Sequence, residues 1–205
     1  MPSGRPNPFR FAGKPPAPGA RAPDAPPARE PPVLWRDPPH PATLDEETLL
    51  REITMDRQRS GGPGGQHRNK VETAVVFTHP GTGIIAQAAE RRSVRENRPV
   101  ALRRLRLALA MGVRCPVPDG DQRSALWRSR CDRAGRIACN PQHADFPALL
   151  AEALDMAWAC GLDVARAAAR LACTTSQLVR LVKDHPPAFA MLNEARRARG
   201  ERALK

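Results

Sequence analysis

Hydrophobic and polar positions change period along the chain, from strand-like to helical. Ile53 and Met55 alternate with polar neighbours and predict a strand, and residues 74–87 predict a β-hairpin around the turn at 80–83. From about residue 97 the spacing is that of a helix. Its apolar face is formed by Ala101, Leu102, Leu105, Ala108 and Leu109. A short sheet with one long helix therefore follows residue 50.

The last third of the chain has a helical pattern throughout. Asp145 and Asp163 stand at the start of two apolar-periodic stretches, and Thr174 with Gln177 matches a capping box that opens a third helix. Two short helices joined near residues 172–174 suggest a helix-turn-helix. A capping box of Thr43 and Glu46 predicts one more short helix, before the sheet.

Composition separates the first 41 residues from the rest. They hold 14 of the 23 prolines, and such chain buries too little apolar surface to offset its ordering entropy. We expect a disordered arm over 1–41, a first domain over 42–115, a linker over 116–142 and a helical domain over 143–205. The expected fold class is α+β, in which a small domain with a short mixed or antiparallel sheet and a long helix precedes an all-α helix-turn-helix-like unit.

Positive charge is concentrated around the expected sheet. The net charge is +12, and residues 51–116 carry 13 basic against 5 acidic side chains. Such a surface indicates a polyanionic partner, nucleic acid before membrane. Because Phe77 is the one aromatic residue of this segment, a platform for stacking single-stranded bases is not expected.

Cysteine usage and hydropathy add negative predictions. The five cysteines form no CxxC pair, which is typical of reduced thiols, and no apolar run is long enough to span a membrane. Cys139 and His143 have a ligand-like spacing but lack a second tight pair. We therefore expect no metal, no cofactor and no membrane contact, and a cytoplasmic monomer.

A glycine-rich stretch at 60–66 (SGGPGGQ) carries the most information about function. It matches neither the Walker spacing nor the dinucleotide-binding spacing. A surface linker is the simplest interpretation, but a linker does not explain the polar and basic run at 66–70 directly after the glycines. Glycines permit positive φ and close backbone approach, so this tip could enter a narrow polar cavity.

Residues 59–73 (RSGGPGGQHRNKVET) resemble the GGQ loop of the class I peptide-chain release factors. The similarity extends over about residues 50–112, including Thr82-Gly83-Ile84, Arg92-Ser93 and Asn97. It implies that Gly64, Gly65 and Gln66 are presented to the peptidyl transferase centre of the large ribosomal subunit, where they promote hydrolysis of the peptidyl-tRNA ester.

The resemblance also implies the roles of single groups. The Gln66 main-chain amide would donate to the developing oxyanion and its side chain would select water as nucleophile, while Gly64 and Gly65 permit the backbone path. Nothing near the loop in sequence forms a nucleophile–base–orienter triad, so covalent catalysis is not expected. RNA contacts are expected from seven further residues: Arg59, His67, Arg68, Asn69, Lys70, Arg91 and Arg92.

This chain has no room for the codon-reading domains of full release factors, and it resembles the stand-alone GGQ hydrolases that rescue stalled ribosomes. We predict a codon-independent peptidyl-tRNA hydrolase whose partners are the ribosome, its RNA and peptidyl-tRNA. One alternative is a non-catalytic ribosome- or RNA-binding protein that uses the helix-turn-helix-like unit, and another is a DNA-binding regulator. The basic run at 196–205 is expected to contact ribosomal RNA.

Overall fold

A computed structural model of the protein describes residues 32–58 and 73–205. The described residues form an α+β fold, as expected, with a small sheet, a long helix and a helical C-terminal region. No helix in these two ranges is both long and apolar enough to cross a bilayer.

The sheet has three antiparallel strands in the order β2-β3-β4. These are β2 (Thr54–Gln58), β3 (Ala74–His79) and β4 (Ile84–Ala88), so the hairpin predicted at 74–87 is confirmed. Met55 pairs with Phe77, which in turn pairs with Ala86, and these three side chains share one face of the sheet. Strand β2 is an edge strand, and all five of its residues are exposed.

Helix α2 (Val94–Gly112) covers this face of the sheet over β3 and β4. It begins three residues earlier than the apolar spacing predicted because the Ser93 side chain accepts a hydrogen bond from the Arg95 amide at 3.2 Å. Ala101, Leu102, Leu105 and Leu109 are buried, which confirms the predicted apolar face. This face and β3 make the core of the sheet region.

The segment before the sheet wraps around α2. A 3₁₀ turn (Pro41–Thr43) precedes α1 (Glu46–Glu52), and β1 (Leu34–Trp35) pairs in parallel with β5 (Val113–Arg114). The capping-box prediction at Thr43 is wrong. Asp45 caps α1 through the Thr48 amide at 2.9 Å, because Thr43 lies inside the 3₁₀ turn and its hydroxyl donates to the His40 carbonyl.

Five helices follow. They are α3 (Ala125–Arg130), α4 (Phe146–Ala159), α5 (Val164–Arg170), α6 (Thr175–Lys183) and α7 (Pro186–Ala198). Helix α4 is the central one, because it packs on α2 to one side and on α5 and α6 to the other. Eleven of its fourteen residues are buried as a result, Asp155 among them.

Helices α5 and α6 pack on each other and are joined by the short turn predicted near residues 172–174. Asp163 caps α5 and Thr174 caps α6, as their positions predicted. Between the helices Ala172 adopts φ +49°, a left-handed conformation that turns the chain sharply. The prediction for Asp145 is wrong: its carboxylate makes no capping bond and accepts from Arg130 at 2.6 Å instead.

Hydrophobic packing is continuous from the sheet to the C-terminal helices. Residues 116–142, expected as a linker, contain α3 and the fully buried Trp127, whose indole Nε1 donates to the Leu171 carbonyl at 2.9 Å. The four-part division of the chain stays a prediction.

One RNA contact expected near the C-terminus is wrong. Arg196 is buried, and its guanidinium donates to the carbonyls of Leu162 and Arg202. A guanidinium whose donors satisfy buried carbonyls contributes to the fold and is not exposed to an RNA partner.

Candidate functional site

The structure describes the residues on either side of the glycine-rich segment, which form its base. Gln58 ends β2 and pairs with Ala74, the first residue of β3, so both ends of the segment lie side by side at one end of the sheet. Eight predicted residues lie outside the described ranges, and their roles stay predictions: Gly64, Gly65, Gln66, Arg59, His67, Arg68, Asn69 and Lys70.

Asn97 ties this base to helix α2. Its side-chain amide donates to the Thr73 carbonyl at 2.7 Å and to the Arg91 carbonyl at 2.9 Å, and its Oδ1 accepts from the Arg91 amide at 2.9 Å. The side chain is fully buried. Because three backbone groups are satisfied by one rigid amide, the exit of the segment and the turn before α2 are held in a fixed relation.

Arg91 and Arg92 lie on that turn, between β4 and the Ser93 cap. Both are exposed, and neither side chain makes a hydrogen bond or ion pair with any other residue that the structure describes. They are brought to the same end of the sheet as the Gln58–Ala74 pair through the Asn97 bonds. A role in RNA binding stays a prediction for both residues.

Three further arginines near this end were not among the predicted residues. Arg95 and Arg98 continue along the first turns of α2, and Arg57 lies on β2 one residue before its end. All three are exposed and, within the described ranges, unpaired. Arg95 and Arg98 are three residues apart on α2, and this helical spacing is the signal in the sequence that could have identified these two.

The neighbouring Arg104 has a different environment. Its guanidinium lies 2.5 Å from the Glu90 carboxylate and also donates to the Gln87 carbonyl at 2.8 Å. These contacts hold the pKa of Glu90 below its usual value, chiefly through the hydrogen bond from Arg104. Arg104 is thus neutralised within the protein, which limits the free positive charge to the first half of α2.

His79 is the buried titratable side chain at the opposite end of β3. Its Nε2 lies 3.2 Å from the Glu52 carboxylate and its Nδ1 lies 3.0 Å from the Thr82 hydroxyl. The ring thereby connects the end of α1 with the β3–β4 turn. It is far along the strand from the Gln58–Ala74 pair, so it serves to fix the sheet and not to act on a substrate at the loop.

The segment that contains this sheet and helix α2 is similar to a known protein family. The model of the RF-1 domain matches residues 45–127. Residues 45–127 are a class I release-factor GGQ domain. Peptide chain release factor 1 of Symbiobacterium thermophilum is 44% identical over 72 residues, which are 35% of this chain and 20% of that protein. Peptide chain release factor 1 of Acidiphilium cryptum is 36% identical over 102 residues, covering 48% and 28%.

Release factor 2 proteins match as well. Peptide chain release factor 2 of Variovorax paradoxus is 47% identical over 67 residues, which are 33% of this chain and 18% of that protein. The chain therefore spans about a fifth of the length of the curated relatives it matches. Helices α4 to α7 lie beyond the matched GGQ domain.

Proposed function

We propose that this protein hydrolyses the ester bond of peptidyl-tRNA on the ribosome without reading a codon, and so releases the nascent chain from stalled ribosomes. One observation carries the proposal: the segment with Gly64, Gly65 and Gln66 emerges from the paired ends of β2 and β3, in a domain of the class I release-factor type. We place this activity in the cytoplasm, with the large-subunit RNA and peptidyl-tRNA as partners.

In the proposed reaction a water oxygen attacks the ester carbonyl carbon. The carbonyl oxygen takes up negative charge, the bond from carbon to the tRNA ribose oxygen breaks, and a proton passes to that ribose oxygen. The Gln66 amide donates to the developing oxyanion, and the buried Asn97 side chain contributes by holding the exit of the loop. Pre-organised donors of this kind lower the barrier because they need not reorient during the reaction.

Codon independence is supported by what flanks the GGQ domain in this chain. The residues after it build the helical unit α4–α7, which lies beyond the residues that the RF-1 domain model matches. Arg91 and Arg92, which are exposed and have no partner among the described residues, support a contact with ribosomal RNA beside this segment.

Peptide release by a Gly65→Ala variant tests the catalytic part. We expect release from stalled ribosome complexes to be abolished, while ribosome binding stays within a few-fold, since the added Cβ obstructs the backbone path and leaves the basic contacts in place. Gly61→Ala, in the same loop but outside the Gly64-Gly65-Gln66 tripeptide, is the matched control. Near-wild-type release by Gly65→Ala would contradict the proposal.

The codon-independent part is tested by programming ribosomes with a stop codon, a sense codon or an empty A site. We expect equal release from all three complexes, or a preference for the empty site. A strong preference for stop codons would contradict codon independence and leave the hydrolase activity intact.

A non-catalytic ribosome-binding protein is the second candidate. On α6, Arg180 and Lys183 are exposed, and Arg180 is unpaired among the described residues. A wild-type protein that binds ribosomes through this helix, and releases no peptide from any complex, would favour this candidate over the hydrolase.

A further inference from the structure

A groove of about 1050 Å³ lies between edge strand β2, helix α2 and the start of α4. One wall carries Arg57, Arg95 and Arg98, from within the release-factor domain. The opposite wall is made by residues 142–148, which lie after that domain. The groove is thus created by the way the helical unit packs on the GGQ domain.

The groove exists because α2 does not cover the whole sheet. Met55 and Arg57 are on the same face as Phe77 and Val75, but α2 packs over β3 and β4. Phe77 is consequently 1% exposed, whereas its direct neighbour Met55 on β2 is 37% exposed. Met55 is therefore an apolar side chain that opens into the groove beside the arginines.

The cations on the basic wall are available to a ligand. Arg57, Arg95 and Arg98 are exposed and make no hydrogen bond or ion pair with the part of the chain that the structure describes. The guanidiniums of the other two arginines that line the groove already donate hydrogen bonds within the protein. Arg106 donates to the carbonyls of Ala42 and Leu44, and Arg103 donates to that of Pro141.

Two of the three acidic side chains that line the groove are engaged within the protein. Asp45 caps α1, and Asp145 accepts from Arg130, which leaves Glu46 on the rim. The free charge of the groove is therefore positive, and it is concentrated on the wall formed by β2 and the first half of α2. Guanidiniums bind phosphate oxygens in bidentate fashion, so this wall is complementary to a phosphodiester chain.

The floor of the groove is apolar without being aromatic. It is lined by Met55, Val94, Pro99, Leu102, Leu126 and Pro147. With no aromatic side chain among its lining residues, it offers no platform for base stacking. Riboses can pack on aliphatic side chains while the phosphates beside them meet the guanidiniums.

We propose that this groove binds the sugar–phosphate backbone of an RNA helix, with phosphates on Arg57, Arg95 and Arg98. RNA helices are recognised mostly through shape, phosphates and ribose hydroxyls, which is what an arginine wall over an aliphatic floor can contact. The choice of RNA rests on the proposed ribosomal function. The groove adds a second RNA contact, to which the helical unit contributes one wall.

Binding of a fluorescein-labelled RNA hairpin to the full chain, across a salt series, tests the proposal. Arg95→Gln/Arg98→Gln is expected to weaken binding about tenfold and to reduce the slope of log affinity against log salt by about 2. Arg57→Gln, on another element, is expected to reduce that slope by about 1. Circular dichroism verifies the fold of each variant.

Arg133→Gln/Arg166→Gln is the matched control, since it removes the same charge from two exposed arginines that do not line the groove. Its affinity and salt slope should equal those of the wild type. An equal loss in the control and the groove variants would overturn the proposal in favour of diffuse attraction. Tighter binding of a single strand than of the hairpin, or displacement of the hairpin by an acidic peptide at equal concentration, would overturn it as well.

The Gly65→Ala protein separates this proposal from the proposed hydrolase. It should bind the hairpin like the wild type even though it releases no peptide. Failure of the groove variants to lose hairpin affinity would reject the groove without affecting the release assay. Absence of release by the wild type would reject the hydrolase without affecting the hairpin titration.

Discussion

The guanidinium of Arg114 donates to the carboxylate of Asp155 at 2.8 Å, and both side chains are buried. Arg114 is the last residue of β5, within the GGQ domain, whereas Asp155 belongs to α4. The same guanidinium lies 5.2 Å from the centre of the Trp158 ring and donates to the carbonyls of Ala110 and Met111. One buried cation thus connects the last turn of α2, β5 and the central helix.

Removal of one partner of this pair should be far more costly than removal of both. Asp155→Ala leaves Arg114 as an uncompensated buried charge, and we expect the free energy of unfolding to fall by about 3–5 kcal/mol. The double variant Arg114→Met/Asp155→Leu should recover most of that loss, because well-packed apolar side chains of similar volume replace the pair. Urea denaturation of both variants measures this, and equal stability of the two would refute it.

Asn97 should affect catalysis more than ribosome binding. Asn97→Asp keeps an acceptor for the Arg91 amide and loses the donors to the carbonyls of Thr73 and Arg91. We expect the rate of peptide release at saturating enzyme to fall at least about tenfold, with ribosome affinity changed less than threefold. Ribosome pelleting and single-turnover release measure the two quantities.

The control for this prediction is Arg92→Gln, which removes one exposed cation from the same turn. It should weaken ribosome binding with a reduced salt dependence, and it should leave the release rate at saturation nearly unchanged. If Asn97→Asp loses affinity and rate in the same proportion as Arg92→Gln, the side chain does not position the loop.

His40 should make the stability of the protein dependent on pH. Its Nε2 donates to the Val113 carbonyl at 3.1 Å, and its Nδ1 accepts from the Ala42 amide at 3.0 Å. Burial lowers the pKa of His40 to about 4, so the folded chain holds a neutral ring where the unfolded chain, near pKa 6.5, takes up a proton. The free energy of unfolding contributed by this group is therefore present above pH 6.5 and is lost as pH falls toward 4.

Guanidinium denaturation of wild type and His40→Asn from pH 7 to pH 4.5 checks this expectation. The asparagine retains an acceptor for the Ala42 amide and does not titrate. We expect the wild type to lose on the order of 2–3 kcal/mol more than His40→Asn over this range. Burial raises the pKa of Asp155 to about 7, which by itself makes stability fall as pH rises from about 4 to 7. This contribution is the same in both proteins, so the difference between them isolates His40.

Local signals in the sequence predicted several elements well. The hairpin at 74–87, the apolar face of α2 and the caps at Asp163 and Thr174 are all confirmed, since each depends on residues within a few positions of one another. Thr43 and Asp145 look like caps by the same local rule. They fail as caps because each side chain has another partner nearby, the His40 carbonyl for Thr43 and the Arg130 guanidinium for Asp145.

The sequence alone determined which segment we propose to carry the chemistry and which stretches form most of the strands and helices. The GGQ motif and the hydrophobic periods consist of residues that are close together in sequence, so they can be recognised without knowledge of tertiary contacts. The matched RF-1 domain agrees with that interpretation of the motif.

Packing between segments that are distant in sequence determined the buried ion pairs and the groove. Asp155 lies on the side of α4 that meets β5, and its partner Arg114 is 41 residues away along the chain. The sequence pattern predicts Arg196 as a surface cation, but its guanidinium is buried and donates to the Leu162 carbonyl. The groove beside Met55 likewise requires α2 and the start of α4 to pack together. No local period encodes such relations, because burial and charge pairing depend on which surfaces meet after the elements have formed.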